Sequence, residues 1–143
     1  MTCGVPQCCA LGPALFLLYT ADAITTARRH YIGVQSYADD TQHCLHSKAK
    51  LCVPSIPRLV SCIENINRWK SSNGSKLNSD KTDFILHGKH QQLAKINCKS
   101  IKISGCDIPI SNRLICFGVL VDDEMTFAAH IRRLTGRCFY QLR

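Results

Sequence analysis

Residues 32–45 read IGVQSYADDTQHCL. Two short runs rich in β-forming residues flank the tetrad Tyr37-Ala38-Asp39-Asp40, which predicts a hairpin of roughly 32–38 and 41–47 with both aspartates at its tip. Successive side chains of a strand face opposite ways, so neighbouring carboxylates converge on one cation only where the chain turns. Mg²⁺ takes oxygen ligands from one or two carboxylates and leaves its other positions for water and phosphates. Ordinary turn chemistry is the alternative interpretation of an Asp-Asp pair.

Apolar residues that recur at helical spacing predict three helices around this hairpin. The first opens at Gly12-Pro13, because proline is tolerated in a first turn, and runs to about Arg29. The second starts at Ser55 and Pro57, and the third runs from about Phe127 to Leu142. The apolar faces of the first two helices are assigned to the core; they comprise Leu15, Leu18, Tyr19 and Ala23 in the first and Leu59, Cys62, Ile63, Ile66 and Trp69 in the second. The apolar side of the third helix comprises Ile131, Leu134, Cys138 and Leu142.

Three further segments read as β structure. They are a strand at Thr82–His87, a strand at Ser100–Ser104 that turns at residues 105–107 into Ile108–Ile110, and a mostly buried strand at Leu114–Val121. The predicted order is α-β-β-α-β, then a β-rich extension and a helix, which places the chain in the α+β class. Since no repeat or linker divides it, we expect a single domain over residues 1–143.

The composition favours a polyanionic partner and a reducing compartment. Eighteen Lys and Arg against ten Asp and Glu leave a net charge of +8, which suits phosphate neutralisation, although a merely basic soluble protein is the alternative. No secretory signal opens the chain, and the apolar run Leu11–Leu18 is too short to span a membrane. We therefore expect an intracellular protein whose ten cysteines are reduced and mostly buried, for example Cys62 and Cys116, with no structural zinc.

Four ordered motifs resemble a known family. They are Gly-Val-Pro-Gln at 4–7, the Asp-Asp tetrad at 37–40, the lysine-bearing segment 76–83 and the segment 117–122. In this order and with these gaps, nearly all of the chain resembles the palm of a reverse transcriptase of non-LTR (LINE-type) retrotransposons. The resemblance implies template-directed addition of deoxynucleotides to a primer 3′ end by two-metal catalysis. It also implies Mg²⁺ as the cofactor and an RNA template and a DNA primer as partners.

The resemblance further implies roles for individual residues. Asp39 and Asp40 correspond to catalytic, metal-binding carboxylates, with Asp39 the better candidate for a direct ligand. Lys81 corresponds to a catalytic lysine near the departing pyrophosphate, and a solvated lysine in a turn is its alternative. The residues implied in binding nucleotide, primer or template are Pro6, Gln7, Tyr37, Ala38, Phe117 and Gly118.

The chain also departs from the family pattern. Cys8 and Cys9 stand where the family has glycine and serine, and a side chain there should obstruct a close approach to the backbone. The fingers, the first catalytic strand with a third aspartate, and the thumb have no counterpart in the 143 residues. The expected fold is therefore a partial ferredoxin-like palm, catalytically inactive as an isolated chain. The alternatives are a non-catalytic nucleic-acid-binding module or an unselected retrotransposon relic.

Overall fold

The computed structural model describes residues 10–37 and 40–142. The chain divides into two compact units. The first unit consists of Met1–His46 and Ser61–Leu77, and the second unit consists of Ser47–Val60 and Asn78–Arg143. Helices and small antiparallel sheets both occur, so the α+β class is confirmed, while the single-domain assignment stays a prediction.

Helix α1 of the first unit spans Gly12–Arg29, as predicted from Gly12-Pro13. Its end is fixed by Tyr31, which takes a left-handed φ of 55°. The N–H of Ile32 then reaches back to the carbonyl of Ala27 at 3.1 Å, in the manner of a Schellman motif. This reversal directs the chain from α1 into the hairpin.

The predicted core face of α1 is wrong for most of its members. Leu15 is 44% exposed, Leu18 73% and Tyr19 41%, whereas the buried residue of the helix is Ala27. Helical spacing identifies which side chains share a face, but the burial of that face depends on what packs against it. In the described part of the first unit, that cover is present mainly at the C-terminal end of α1.

The predicted hairpin is confirmed, with strands slightly shorter than expected. Strand β1 spans Gly33–Tyr37 and β2 spans Asp40–Cys44, paired antiparallel. The register pairs Gly33 with Cys44 at one end and Tyr37 with Asp40 at the other. Ala38 and Asp39, between the paired ends, lie outside the described residues.

Helix α2 spans Cys52–Ser72 and follows a 3₁₀ turn at Ala49–Leu51, so it begins before the predicted start at Ser55 and Pro57. The earlier start is compatible with Pro54, because the first four N–H groups of a helix have no partner within it and Pro54 is the third residue. Pro57 lies inside the helix, where a proline provides no N–H for the hydrogen bond to the preceding turn. At the other end Gly74 has a φ of 71°, and the N–H of Ser75 bonds the Lys70 carbonyl at 2.8 Å.

The predicted apolar face of α2 is largely buried. Cys62, Ile63 and Ile66, which belong to the first unit, are at most 9% exposed. Leu59, which belongs to the second unit, is 5% exposed. Trp69 is half-buried, and its ring lies 5.3 Å from that of Tyr19. The Tyr19 hydroxyl donates to the Asn73 carbonyl at 2.6 Å, which joins α1 to the end of α2.

The predicted strand at Thr82–His87 is wrong. The described residues give this segment one isolated parallel bridge, between Phe84 and Ile110, supported by a 2.8 Å bond from the Ser111 N–H to the Phe84 carbonyl. A β-rich sequence becomes a strand only when a neighbour completes a ladder of hydrogen bonds. A 3₁₀ turn at Ser79–Lys81 precedes the segment, and a short helix α3 at His90–Leu93 follows it.

Two hairpins form the β structure of the second unit. Strand β3 (Ser100–Ile103) pairs with β4 (Cys106–Pro109), and Ile101, Ile103 and Ile108 are buried. The connecting residues Ser104 and Gly105 both have positive φ, 50° and 86°, which is the signature of a type I′ turn. The turn therefore lies slightly earlier than the predicted 105–107.

The predicted single strand Leu114–Val121 is also a hairpin. Strand β5 spans Arg113–Cys116 and β6 spans Val119–Asp122, joined by Phe117 and Gly118 at φ 49° and 83°. Expected burial is also wrong, since Ile115 is 60% exposed and most of β6 is half-buried. A continuous apolar run concealed a turn because Phe117 is an unusual residue at positive φ.

Helix α4 spans Ala128–Gln141, close to the predicted range. Asp122 precedes it, and its carboxylate accepts 2.7 Å bonds from the N–H and from the hydroxyl of Thr126. The hydroxyl bond first, and then the N–H bond, hold the pKa of Asp122 below its ordinary value. The apolar side of α4 is exposed, with Ile131 at 57% and Leu134 at 44%.

The expectation that most cysteines are buried is wrong for the described ones. Cys62 is fully buried, and burial raises the pKa of its thiol. Cys106 and Cys138 are exposed, and Cys116 in β5 is half-buried. Across residues 10–37 and 40–142, every helix is too short or too polar to cross a membrane.

Candidate catalytic hairpin and nucleic-acid interface

Asp40 is the acidic residue of the predicted pair that the structure describes. It begins β2, opposite Tyr37, at the end of the hairpin ladder where the chain reverses. Its side chain is exposed, and Tyr37 is 73% exposed. Asp39, Ala38, Pro6 and Gln7 lie outside the described residues. The convergence of the two carboxylates therefore stays a prediction, whereas an accessible carboxylate beside Tyr37 is observed.

The opposite face of β2 carries a covered histidine. His43 is three residues after Asp40, so the alternation of a strand turns its side chain to the other face. Burial, and then the positive charge of Lys70, hold the pKa of His43 below its ordinary value. The Nδ1 atom is buried without a hydrogen-bond partner in the part of the chain that the structure describes. His43 therefore favours its neutral form, on the face of β2 opposite to Asp40.

A second histidine fixes the approach to the hairpin. The side chains of Asn65 in α2 and His30 at the end of α1 meet at 2.8 Å between the amide nitrogen and Nε2. The Arg68 guanidinium donates to the amide oxygen of Asn65 at 2.9 Å. Ile32, the residue before β1, is 3% exposed. These contacts attach the start of β1 to the helices of the first unit.

Lys81 ends the 3₁₀ turn of the second unit. The turn is organised by Asn78, whose side chain accepts from the Asp80 N–H at 3.1 Å and whose carbonyl accepts from the Thr82 hydroxyl at 2.8 Å. The side chain of Lys81 is exposed. Both interpretations of Lys81, a lysine near pyrophosphate and a solvated lysine in a turn, are compatible with this position.

Phe117 and Gly118 are brought together at the tip of the β5–β6 hairpin. Phe117 is 41% exposed. The Gly118 carbonyl accepts a 3.2 Å hydrogen bond from Nη2 of Arg133 in α4. The N–H of Leu120 donates to Nδ1 of His130 at 3.2 Å, so α4 is attached to this hairpin at two points.

The sequence places the arginines of α4 on the side of the helix opposite its apolar residues, but no functional role was predicted for them. In the structure Arg132, Arg133 and Arg137 line one shallow groove together with Tyr140. The signal was available, because positions 132, 133, 137 and 140 lie on one side of a helix with a turn of 3.6 residues.

The described residues do not fit a metal pair. They contain no group of three or more His, Cys, Asp or Glu side chains placed to hold a metal ion. Asp40 supplies one hard carboxylate oxygen donor group, the type that Mg²⁺ prefers, but two-metal catalysis needs several such groups around both ions. The structure therefore shows Asp40 as one accessible carboxylate, and its role as a metal ligand stays a prediction.

Comparison with known proteins identifies the family of the chain. The family described as reverse transcriptase (RNA-dependent DNA polymerase) matches residues 1–108, which is more than half of the 143-residue chain. The chain belongs to this family. The match includes the β1–β2 hairpin and the turn with Lys81, and it ends within β4, before the Phe117–Gly118 hairpin and α4.

Curated relatives narrow the family to mobile elements of the LINE type. The chain is 26% identical over 136 residues to the RNA-directed DNA polymerase from mobile element jockey of Drosophila funebris, and 24% identical to its Drosophila melanogaster counterpart. Each alignment covers 92% of this chain and 14% of the relative. It is 26% identical to the probable RNA-directed DNA polymerase from transposon BS of Drosophila melanogaster, over 99% of this chain and 16% of that protein. No solved structure matches.

These matches confirm the predicted resemblance to LINE-type reverse transcriptases. The chain spans about one seventh of the length of the jockey relatives that it matches. The roles of Asp39, Asp40, Lys81 and the proposed binding residues are not tested by these similarities.

Proposed function

We propose that this chain supplies the aspartate hairpin of a reverse transcriptase palm, the part that presents carboxylates to the primer end and the incoming nucleotide. The observation that supports it most directly is the register of β1 and β2, which pairs Tyr37 with Asp40 and leaves the Asp40 side chain exposed. An accessible carboxylate at the end of a hairpin is what a catalytic metal ligand requires.

We propose a ferredoxin-like palm as the finer fold. The order α1, β1, β2, α2 supports it, since a hairpin between two helices is the central part of such a palm. The exposed Leu15 and Leu18 on α1 also support it, because a larger sheet would cover a face of this kind.

The proposed residue roles follow the family pattern. Asp39 and Asp40 would hold Mg²⁺, which neutralises phosphate charge and positions the attacking oxygen when it is bound. Lys81 would lie near the departing pyrophosphate. Pro6, Gln7, Tyr37 and Ala38 would contact template, primer or nucleotide, and Phe117 with Gly118 would contact the primer. An RNA template and a DNA primer are the proposed partners, in an intracellular compartment.

Divalent-ion binding at the hairpin is testable without any catalytic activity. Mn²⁺ added to the protein should broaden the amide NMR signals of residues next to Asp40 before those of other segments, because a paramagnetic ion relaxes nearby nuclei. Asp40→Ala should abolish this selectivity. Asp107→Ala is the matched control, since Asp107 is also an exposed aspartate in a hairpin strand and is paired opposite Lys102. Broadening that is uniform along the chain, or unchanged in Asp40→Ala, would refute a metal-binding role.

We propose that the 143-residue polypeptide does not polymerise DNA by itself. The hairpin provides two neighbouring aspartates, whereas a pair of metal ions needs further carboxylate ligands, and this supports the proposal. Primer extension with Mg²⁺, deoxynucleotides and an RNA template should give no product. Template-dependent extension that Asp39→Ala abolishes and Asp107→Ala preserves would overturn the inactivity while supporting the hairpin as the catalytic site.

A non-catalytic role in nucleic-acid binding is the second candidate. The net charge of +8 and the three arginines in the groove of α4 favour it. Binding that weakens steeply with salt would indicate contacts to phosphates. An unselected relic would show neither selective Mn²⁺ broadening nor salt-dependent binding.

A further inference from the structure

One side of α4 combines positive charge with an exposed aromatic ring. This side, called here the arginine face, is a shallow groove lined by Arg132, Arg133, Gly136, Arg137, Tyr140 and Gln141. Helix α4 contains no Asp or Glu, so its own sequence provides no carboxylate to neutralise the arginines. The arginine face is therefore a cationic surface along about two and a half turns of helix.

Arg133 is the fixed member of this surface. Its Nη2 donates to the Gly118 carbonyl at 3.2 Å, and its Nε is buried without an acceptor among residues 10–37 and 40–142. The side chain is half-buried, while Arg132 and Arg137 are exposed. One guanidinium is thus held in place and two are accessible, which lowers the conformational entropy lost when the surface meets a ligand.

Tyr140 gives the arginine face an apolar component. Its side chain is 80% exposed although it lies beside cations. An aromatic ring next to arginines can stack on a nucleic-acid base while the arginines neutralise the adjacent phosphates. A duplex keeps its bases stacked on each other, so it would use the arginines but not the ring.

We propose that the arginine face of α4 binds single-stranded nucleic acid, with Arg132 and Arg137 on the phosphates and Tyr140 stacked on a base. The choice of ligand rests on charge complementarity with nucleic-acid phosphates, because the surface is cationic and the whole chain has a net charge of +8. The surface lies beyond residues 1–108 matched by the family. The proposal rests on the second candidate function, nucleic-acid binding, and specifies its ligand. It uses neither Asp39 nor Asp40, so it holds even if the hairpin binds no metal.

Fluorescence anisotropy with labelled oligothymidylate and oligouridylate tests the charge. Between about 50 mM and about 300 mM KCl, loss of two phosphate contacts should reduce the slope of log K against log salt by about 1.4. We therefore expect this change in Arg132→Gln/Arg137→Gln. The matched control Lys95→Gln/Lys99→Gln removes the same charge from exposed lysines of the second unit and should change the slope much less.

Tyr140 tests the stacking. Tyr140→Leu should weaken binding roughly 5-fold to 100-fold, whereas Tyr140→Phe keeps the ring and should bind like the unchanged protein. Circular dichroism of each variant verifies that α4 is retained. Equal loss in the lysine control, equal affinity for a duplex of the same length, or no binding at low salt would each overturn the proposal. Binding to anionic vesicles in preference to the oligonucleotides would overturn it as well, by assigning the surface to lipid.

Discussion

The same substitution at Gly118 and Gly136 should change the stability of the second unit in opposite directions. Gly118 has a φ of 83° at the tip of the β5–β6 hairpin, and a Cβ added there meets no atom within 4 Å. Gly136 lies inside α4, and a Cβ there also meets nothing within 4 Å. Since neither alanine would clash, the effects of the two substitutions on stability should differ only through the backbone conformation at each site.

The magnitudes follow from that conformation. An L-residue in the left-handed region costs roughly 1–2 kcal/mol, part of which is offset because alanine restricts the unfolded chain by about 0.4–1 kcal/mol. Gly118→Ala should therefore lower the free energy of unfolding by about 1 kcal/mol. Gly136→Ala should raise it by about 0.5–1 kcal/mol, because glycine is a poor residue for a helix interior.

Urea unfolding monitored by circular dichroism measures both changes, provided that the m-value is unchanged. Gly105→Ala is an independent repeat of the turn substitution, because Gly105 has a φ of 86° and equal free space. The reasoning is refuted if Gly118→Ala stabilises the protein, or if Gly118→Ala and Gly136→Ala shift the midpoint in the same direction.

Three further predictions concern burial and titration. Because the pKa of His43 is lowered in the folded protein, the unfolded chain takes up the proton first as the pH falls below about 6.5, and the stability of the fold should decrease towards acidic pH. His43→Gln should reduce this loss of stability, measured as urea midpoints at neutral and mildly acidic pH. An unchanged pH dependence in the variant would contradict the prediction. Ile66→Ala should cost about 2–4 kcal/mol because Ile66 is 3% exposed, whereas Leu134→Ala should stay within about 0.5 kcal/mol, and equal effects would show that exposure was misassigned. Because the pKa of Asp122 is lowered in the folded protein, its bonds to Thr126 stabilise the fold at pH values above the pKa of aspartate in the unfolded chain. This stabilisation is lost as the pH falls through the lower pKa of the folded protein. Asp122→Asn should therefore make the stability less dependent on pH in the acidic range.

The elements that the sequence predicted well are those whose causes are local. Gly12-Pro13 starts α1, and the two runs of β-forming residues around Tyr37 and Asp40 form the hairpin. In each case a few neighbouring residues determine the backbone through proline geometry or β-propensity. No partner from elsewhere in the chain was needed to identify them.

The elements that were predicted wrongly depend on packing or pairing partners elsewhere in the chain. The segment around Phe84 has strand composition but only one bridge in the described chain, and Leu15 has core spacing without cover. Phe117 shows the reverse case, since a bulky residue accepted positive φ and concealed a turn. The candidate site behaves in the same way: the position of Asp40 follows from the hairpin, whereas the hydrogen bond of Arg133 to Gly118 joins residues whose proximity no local pattern encodes.

Burial along β2 is graded from one end of the hairpin to the other. Asp40 and Thr41 are exposed, whereas Gln42, His43 and Cys44 are half-buried, and Cys44 pairs with Gly33 next to the buried Ile32. The hairpin is therefore anchored at the end remote from Asp40. A substitution of Asp40 should consequently leave the folded hairpin intact, so that a loss of ion binding in Asp40→Ala reports on the carboxylate itself.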